Sequence, residues 1–461
     1  MKKLVAITAV LLAGLVSAVP AQAIESAISG EKQIKVASMV NVNLRNPKVM
    51  PLPKGSSLIT WLEEKPNVGY FIKTRTVSST NKLGKVFTLN SSAAYTDMSL
   101  DNLPQVVTNG KGQFFATWIV SYVTDGVTYE KIVGRSSNDG INWTKIKTVV
   151  EPLAVTGGRN CMGEAEQPNC GYVYFRSAID GKGKMAVLVA HTTDRSSMNY
   201  FATTSSNISS WPTPEEVINM RYNFWVSIDG LRSGFALHYP EYVSGTSCRY
   251  LLRYFDSAAG SWGNTLVASS ADFNTVIFGK VIQRSADTLS VVMTPQEGAG
   301  ILVKNFSLSS KNFTDFEVVA KEPVTDVVYQ TVSVAARGTK MAIGYTTYDR
   351  TNHTTSARLI VQSGVEGGFT ETQLERGVDQ VYPLYIGVSK AGYPFFAYMQ
   401  YTRGTHLTTL KGSSQAKVLN NKANVGYLSS MYVSATDQLY AVGMKGDGGT
   451  YSIYLTRGKL K

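Results

Sequence analysis

From about residue 30 onward the chain is a succession of short runs in which apolar and polar residues alternate, each broken by Gly, Asn, Asp or Ser. Alternation with a period of two is the pattern of a half-buried β-strand. The runs come in sets of four. LPQVVTNG, GQFFATWIVSY, TYEKIVGRSS and KIKTVV form one set; YVYFRSAI, KMAVLVAHTT, MNYFATTSS and EEVINM form the next. NFWVSIDG, SGFALHY, CRYLLRYFDS and TLVASS repeat it, and an earlier set runs from NPKVMPLP to KVFTLNS. Three later sets run TVIFGKVIQ to EVVAKEP, YQTVSVAA to TETQLER and YPLYIGVSK to AKVLNN. Aromatic residues open the first run of most sets: Tyr172, Tyr222, Phe273, Tyr329, Tyr382 and Tyr427, at spacings of 50, 51, 56, 53 and 45. No stretch after residue 24 holds a helical stripe for three turns.

Four-strand units at this spacing predict an all-β fold, a β-propeller of four-stranded antiparallel blades. One blade cannot bury both its faces, so the ring is expected to close. Counting sets gives eight blades, or seven if one set is misread. The last set, LSSMYVSA, QLYAVGMKG and TYSIYLTRG, has three runs, whereas KQIKVASMV (Lys32–Val40) stands unpaired before the first set. This N-terminal strand is therefore expected to complete the last blade. A chain of 461 residues would otherwise be read as two to four domains. The repeat makes residues 24–461 a single propeller domain.

The first 23 residues, MKKLVAITAVLLAGLVSAVPAQA, stand outside this pattern. Lys2 and Lys3 precede an apolar run, and Ala21-Gln22-Ala23 supplies small residues for cleavage, the outline of a secretory signal peptide. Export to the periplasm or beyond is expected, with no transmembrane segment in the mature chain. That compartment permits a disulfide between Cys161 and Cys170, which bracket eight residues of a Gly/Pro/Asn-rich loop; Cys248 is left over. His191, His238, His353 and His406 are scattered without metal-ligand spacing, so neither metal nor cofactor is expected. The charge balance is 45 − 33 = +12, and loss of Lys2 and Lys3 leaves +10. This admits an anionic partner such as an acidic polysaccharide. Nucleic acid is disfavoured, because no dense Lys/Arg run or binding motif accompanies the charge.

Ser136-Ser137-Asn138-Asp139-Gly140-Ile141-Asn142-Trp143 resembles the Asp-box, S-x-D-x-G-x-x-W, of sialidases and related bacterial-neuraminidase-repeat propellers. Ser136, Asn138, Gly140 and Trp143 take the motif positions, with Asn138 where the family has Asp. Looser echoes end at Trp211 and Trp262. The motif is structural: a short polar side chain caps a hairpin turn, Gly140 adopts the turn backbone, and the Trp packs beneath the strands. The resemblance implies a sialidase-like fold. An exo-acting sialidase would also need an arginine triad, a Tyr–Glu pair and an Asp acid/base. Arg45-Asn46-Pro47 is the nearest approach to the family's first arginine motif and does not match it.

Candidate ligand residues follow from the repeat. Loops after the second runs, HTTDRSS, TTYDRTN and QYTRG, carry Arg195, Arg350 and Arg403, whose guanidinium groups suit carboxylate, sulfate or phosphate. The same arginines fit a merely solvated, Asp-paired role. The opening aromatics Tyr172, Tyr222, Tyr329 and Tyr382 either line a funnel for a glycan or peptide or wedge between blades. Trp61, Trp118, Tyr239, Tyr345 and Tyr398 end second runs and are expected to pack. The sequence thus points to a binding or scaffold module for a glycan or protein, with an exo-acting glycoside hydrolase as the alternative.

Overall fold

The computed structural model describes residues 28–460 apart from 66–67, 92–102, 156–170, 173, 192–196, 222–225, 245–246, 269–275, 296–299, 315–316, 321–326, 350, 366, 379–380, 391, 401–403, 412–413, 419–426, 435 and 448. The signal-peptide segment, Cys161 and Cys170 therefore lie outside the described residues. Among those described, no helix is long and apolar enough to cross a membrane.

The fold is an all-β propeller of four-stranded antiparallel blades. Its strands form eight sheets: residues 43–88, 105–155, 174–221, 227–267, 276–320, 327–378, 381–418, and 427–460 together with Ile28–Val40. We number them 1 to 8 in that order. Within each of sheets 1 to 7 the strands lie side by side in chain order; in sheet 4 two short strands share the outer position. In sheet 8 the outer place is taken by Ile28–Val40, antiparallel to Thr450–Leu460 from Ile28↔Leu460 to Val40↔Thr450.

Burial explains the strand sequences. Second strands such as Ser57–Lys65, Phe114–Thr124 and Met185–His191 open with six or more consecutive buried positions. Each is covered on both faces by neighbouring sheets, so the alternation collapses there into a continuous apolar run. Fully buried Trp61 and Trp118 lie on such strands, as do buried Tyr239 and Tyr345. Clusters of buried side chains join each of sheets 1 to 6 to the next. Sheet 7 meets sheet 8 through their first strands. Sheet 8 packs on sheet 1 through Val36, Tyr440, Val442, Ile453 and Leu455 against Leu44, Val49, Ile59 and Trp61.

Two devices repeat at the outer margin. The first is the turn after the third strand, where an aromatic stands six residues beyond a polar cap: Ser137 and Trp143, Ser205 and Trp211, Asp256 and Trp262, Ser307 and Phe313. Each ring joins the cluster shared with the preceding sheet. In the first of these turns the Ser137 hydroxyl accepts from the Asp139 and Gly140 amides, and Asp139 Oδ1 accepts from Ile141 and Asn142. Gly140 sits at φ 70°, a conformation that favours glycine. Trp143 Nε1 donates to the Gly140 carbonyl at 3.3 Å. The caps are thus Ser137 and Asp139, each one residue later than the motif positions Ser136 and Asn138. The aspartate is present; the chain reaches the same turn with a shorter spacing to Trp143.

The second device is an arginine on the third strand. Arg135 donates through Nε to the Thr144 carbonyl of its own sheet and through Nη1 to the Leu89 carbonyl at the outer edge of the preceding sheet. Arg253 does the same with Gly263 and Val217, and Arg75 with Gly84 and Val36. Val36 belongs to the N-terminal strand. The relation between sheets 8 and 1 is therefore the one found between sheets 1 and 2 and between 3 and 4.

Candidate functional site

The first strands are the innermost. In six of the eight neighbouring pairs of sheets, the first strand of one touches the first strand of the next. What these strands carry is what the propeller axis presents. Their ranges, Asn43–Pro51, Gln105–Thr108, Tyr174–Ile179, Ser227–Gly230, Val276–Gln283, Val327–Arg337, Val381–Val388 and Tyr427–Val433, contain Arg45, Lys48, Arg176, Lys280 and Arg337 but one carboxylate, Asp229.

A common register makes the comparison between sheets possible. In sheets 1, 2, 3, 5, 7 and 8, five residues separate the last paired positions of the first and second strands: 52–56, 109–113, 180–184, 284–288, 389–393 and 434–438. Polar caps shape several of these loops. Asn109 Oδ1 accepts from the Lys111 and Gln113 amides, Asp180 Oδ1 from Lys182 and Lys184, and Ser434 Oγ from Thr436 and Gln438. These side chains mimic a backbone turn and leave the following strand in phase.

Three residues before the end of the ladder, the six sheets place Lys48, Gln105, Arg176, Lys280, Tyr385 and Ser430. They form one level around the axis. Gln105 Nε2 donates to the Phe175 carbonyl at 3.0 Å, and its Oε1 accepts from the Ser177 amide at 2.9 Å, so it clasps the backbone on both sides of Arg176. Tyr385 donates to the Ser429 carbonyl, next to Ser430. Ser430 Oγ in turn accepts from the Val49 amide at 3.2 Å, next to Lys48. Polar neighbours at this level thus hold the backbone that presents the cations.

The electrostatics agree with the register. Burial, and then the Arg176 guanidinium two sheets away, hold the Lys48 ammonium below the usual lysine range. The like charge of Arg176, on the far side of Gln105, therefore disfavours the charged form of Lys48. Lys280 is salt-bridged to Asp229 Oδ1, and Asp229 Oδ2 lies 2.8 Å from His238 Nε2. His238 Nδ1 lies 2.6 Å from the Tyr250 hydroxyl. Burial raises the Asp229 pKa, but Lys280 and His238 outweigh it and hold the carboxylate ionised well below its ordinary range. Gly279 makes room for this chain, because a Cβ there would collide with the Tyr250 ring and hydroxyl. Its lack of a side chain is required by that close approach.

Several carboxylates elsewhere are committed to structure. Glu63 accepts from Trp61 Nε1 and pairs with Lys73; Asp180, Asp256, Asp287 and Asp349 cap turns. A Tyr–Glu pair does exist: the Tyr345 hydroxyl donates to Glu371, which also pairs with Arg358. Glu371 lies on the outermost strand of sheet 6 and fully buried Tyr345 on its second strand, so this pair holds the sheet and does not face the axis. Among the described residues, no three or more His, Cys, Asp or Glu side chains gather as a metal site.

Arg195, Arg350, Arg403 and Tyr222 lie outside the described residues. Tyr329 and Tyr382 are placed on the first strands of sheets 6 and 7, with side chains outside the description. Tyr172 is buried, and its hydroxyl donates to the Glu151 carbonyl of sheet 2 at 2.8 Å. It bridges two sheets, which is the wedge alternative for an opening aromatic. Lys48, Arg176 and Lys280 escape a search by motif. Their signal is positional and appears once the ladders are aligned on their five-residue loops.

No family model matches the chain, and no curated protein sequence matches it. Similar solved structures include the β-propeller domain of the trilobed protease from Pyrococcus furiosus, at 9% identity and TM-score 0.42, covering 83% of this chain and 99% of that one. They also include the α-L-arabinofuranosidase of Fusarium graminearum with an iminosugar inhibitor, at 10% identity and TM-score 0.38, covering 94% and 99%. A Hadza microbial sialidase is similar at 12% identity and TM-score 0.38, covering 86% and 74%. The solved structures that the chain resembles thus include β-propeller glycoside hydrolases. Likenesses this distant carry no argument about activity, and the fold rests on the strand pairing itself.

Proposed function

We propose that the protein is an exported, sialidase-like propeller whose eight sheets are the blades of one closed ring, and that it binds an anionic ligand along its axis. The ligand class is a glycan bearing carboxylate or sulfate groups. One observation carries this reading: Lys48, Arg176 and Lys280 share a level on the innermost strands, where Asp229 is the sole carboxylate and is already paired. Cations held at fixed positions in a concave, low-dielectric setting attract anions more strongly than the same charges on an open surface. Arg195, Arg350 and Arg403 are proposed as further contacts of the same ligand. Hydrolysis of a glycoside ordinarily needs two carboxylates flanking the bond. The innermost strands supply one, which favours binding over turnover.

The test is calorimetry with a heparin hexasaccharide and with 3′-sialyllactose. At least one is expected to bind, and the affinity should fall several-fold between about 50 and about 300 mM salt. Lys48→Met and Lys280→Met should each weaken it about tenfold. Absence of binding by both probes, or variants that bind as tightly as the wild type, would overturn the proposal. Release of the fluorophore from a fluorogenic sialoside would replace it with the hydrolase reading.

A further inference from the structure

A cavity with chemistry different from that of the inner cations opens between sheets 2 and 3. It holds about 550 Å³, within the range of about 300–1,000 Å³ typical of small-molecule sites. One wall is the outer strand of sheet 2, Lys147–Val155; the other is the face of sheet 3 at Val189, His191 and Phe201, closed below by the turn at 209–214. Its position follows from the fold. Trp211, which lines the cavity, stacks on Phe115 of sheet 2, with ring centroids 5.6 Å apart and planes at 22°.

The lining is aromatic on several sides and hydroxylic at the lip. Phe201 is covered by the His191 ring at 4.9 Å and 5°, a rigid flat platform. Trp211 and Tyr172 complete the apolar surface. Thr148, Ser209, Ser210 and Thr213 contribute four hydroxyl groups, each able to donate and accept. The charge here is the reverse of that on the axis: Glu151 lines the cavity, no Lys or Arg among the described residues does, and Glu216 is close enough to act on His191. Burial lowers the His191 pKa and so favours the neutral imidazole, with one donor and one acceptor.

We propose that this cavity is a binding site for an uncharged oligosaccharide. Flat aromatic surfaces receive the C–H faces of sugar rings, while paired hydroxyls, an imidazole and a carboxylate match ring hydroxyl groups that both donate and accept. An anionic sugar would meet Glu151 with no lining cation among the described residues to offset it. A purely apolar ligand would leave the lip hydroxyls without partners, and a quaternary ammonium ion offers them no hydrogen-bonding group. The site depends on the cavity alone and stands apart from the axial reading.

The experiment is ligand-observed saturation-transfer NMR, followed by calorimetry. The probes are glucose-, N-acetylglucosamine-, mannose-, galactose-, xylose- and arabinose-based trisaccharides, with tetramethylammonium as the cationic comparison. At least one trisaccharide should bind at about 10 mM or below. Glu151→Ala should weaken it about tenfold by removing a charged acceptor. Thr213→Trp, at an exposed position, should fill the mouth and abolish binding with the thermal transition unchanged. Lys48→Met and Lys280→Met should leave it intact. Silence across the trisaccharides, binding by tetramethylammonium alone, or sugar binding that survives Thr213→Trp or is lost with Lys280→Met would each overturn the proposal.

Discussion

The outer margin and the axis use the same residue types for opposite ends. On the third strands, Arg75, Arg135 and Arg253 spend their donors on backbone carbonyls of two adjacent sheets. Arg284 and Arg457 act similarly: Arg284 reaches the Thr339 and Gly364 carbonyls, and Arg457 those of Gly55 and Ser78. Arg284 is fully buried, and burial lowers its pKa to about 10. Among the described residues none of these five guanidinium groups is paired with a carboxylate, so each adds to the net charge of +12 without advertising a ligand site. The cations that share a level on the first strands differ in partner: Lys280 meets a carboxylate, and Lys48 feels the like charge of Arg176. Net charge alone therefore misleads. Much of the positive balance is mortar between sheets, and the part bearing on function sits on one level of the first strands.

The largest expected effect is at the seam. Deleting residues 28–40 removes the outer strand of sheet 8, the buried Val36 and the carbonyl that receives Arg75. The shortened protein should show no cooperative thermal transition by circular dichroism; a wild-type melting curve would sink the proposed ring closure. Next comes a crossed pair of substitutions. Arg253→Met strands the Gly263 and Val217 carbonyls and should reduce stability by about 2–6 kcal/mol in urea, at about 1–3 kcal/mol per unpaired group, with anion binding retained. Lys48→Met, which relieves the repulsion from Arg176, should reverse the pattern, with affinity lost and the urea midpoint moved by much less. Both variants losing both properties would erase the distinction between margin and axis.

The four-beat alternation, the spacing of the opening aromatics and the unpaired N-terminal strand were enough to read the strand order, because each rests on local periodicity. The turn motif was legible in kind and misplaced by one residue. Ser136-Ser137 and Asn138-Asp139 are pairs of similar residues, and backbone geometry alone decides which member caps. Phe313 went unnoticed as a partner of the turn tryptophans because its turn lacks both Trp and Asp. The axial cations were illegible for another reason. Lys48, Arg176 and Lys280 share no flanking motif, and the five-residue loops that bring them level differ in sequence, from LPKGS to RSADT. The glycine at 279 carries no sequence signal for its purpose, since the Tyr250 hydroxyl it admits arrives from another sheet.

The smallest expected effect is also the most specific to the axis. Lys48 is held below the ordinary lysine range by burial and by Arg176, so it releases its proton at a lower pH than an exposed lysine. The unfolded chain then binds more protons at that position than the folded one. The sign follows: through the window between the two pKa values, this group makes stability rise with pH. An anion bound between Lys48 and Arg176 favours the charged ammonium and raises its pKa, so binding in that window must take up a fraction of a proton. Affinity should consequently decline as pH rises through the window below the ordinary lysine pKa. Calorimetry at about pH 9 in two buffers of different ionisation enthalpy should give unequal apparent heats. In Lys48→Arg the guanidinium stays charged throughout, and the heats should agree between buffers while binding persists. Equal heats in the wild type, or the same proton uptake in Lys48→Arg, would remove Lys48 from the site and leave the inner cations no different in kind from those at the margin.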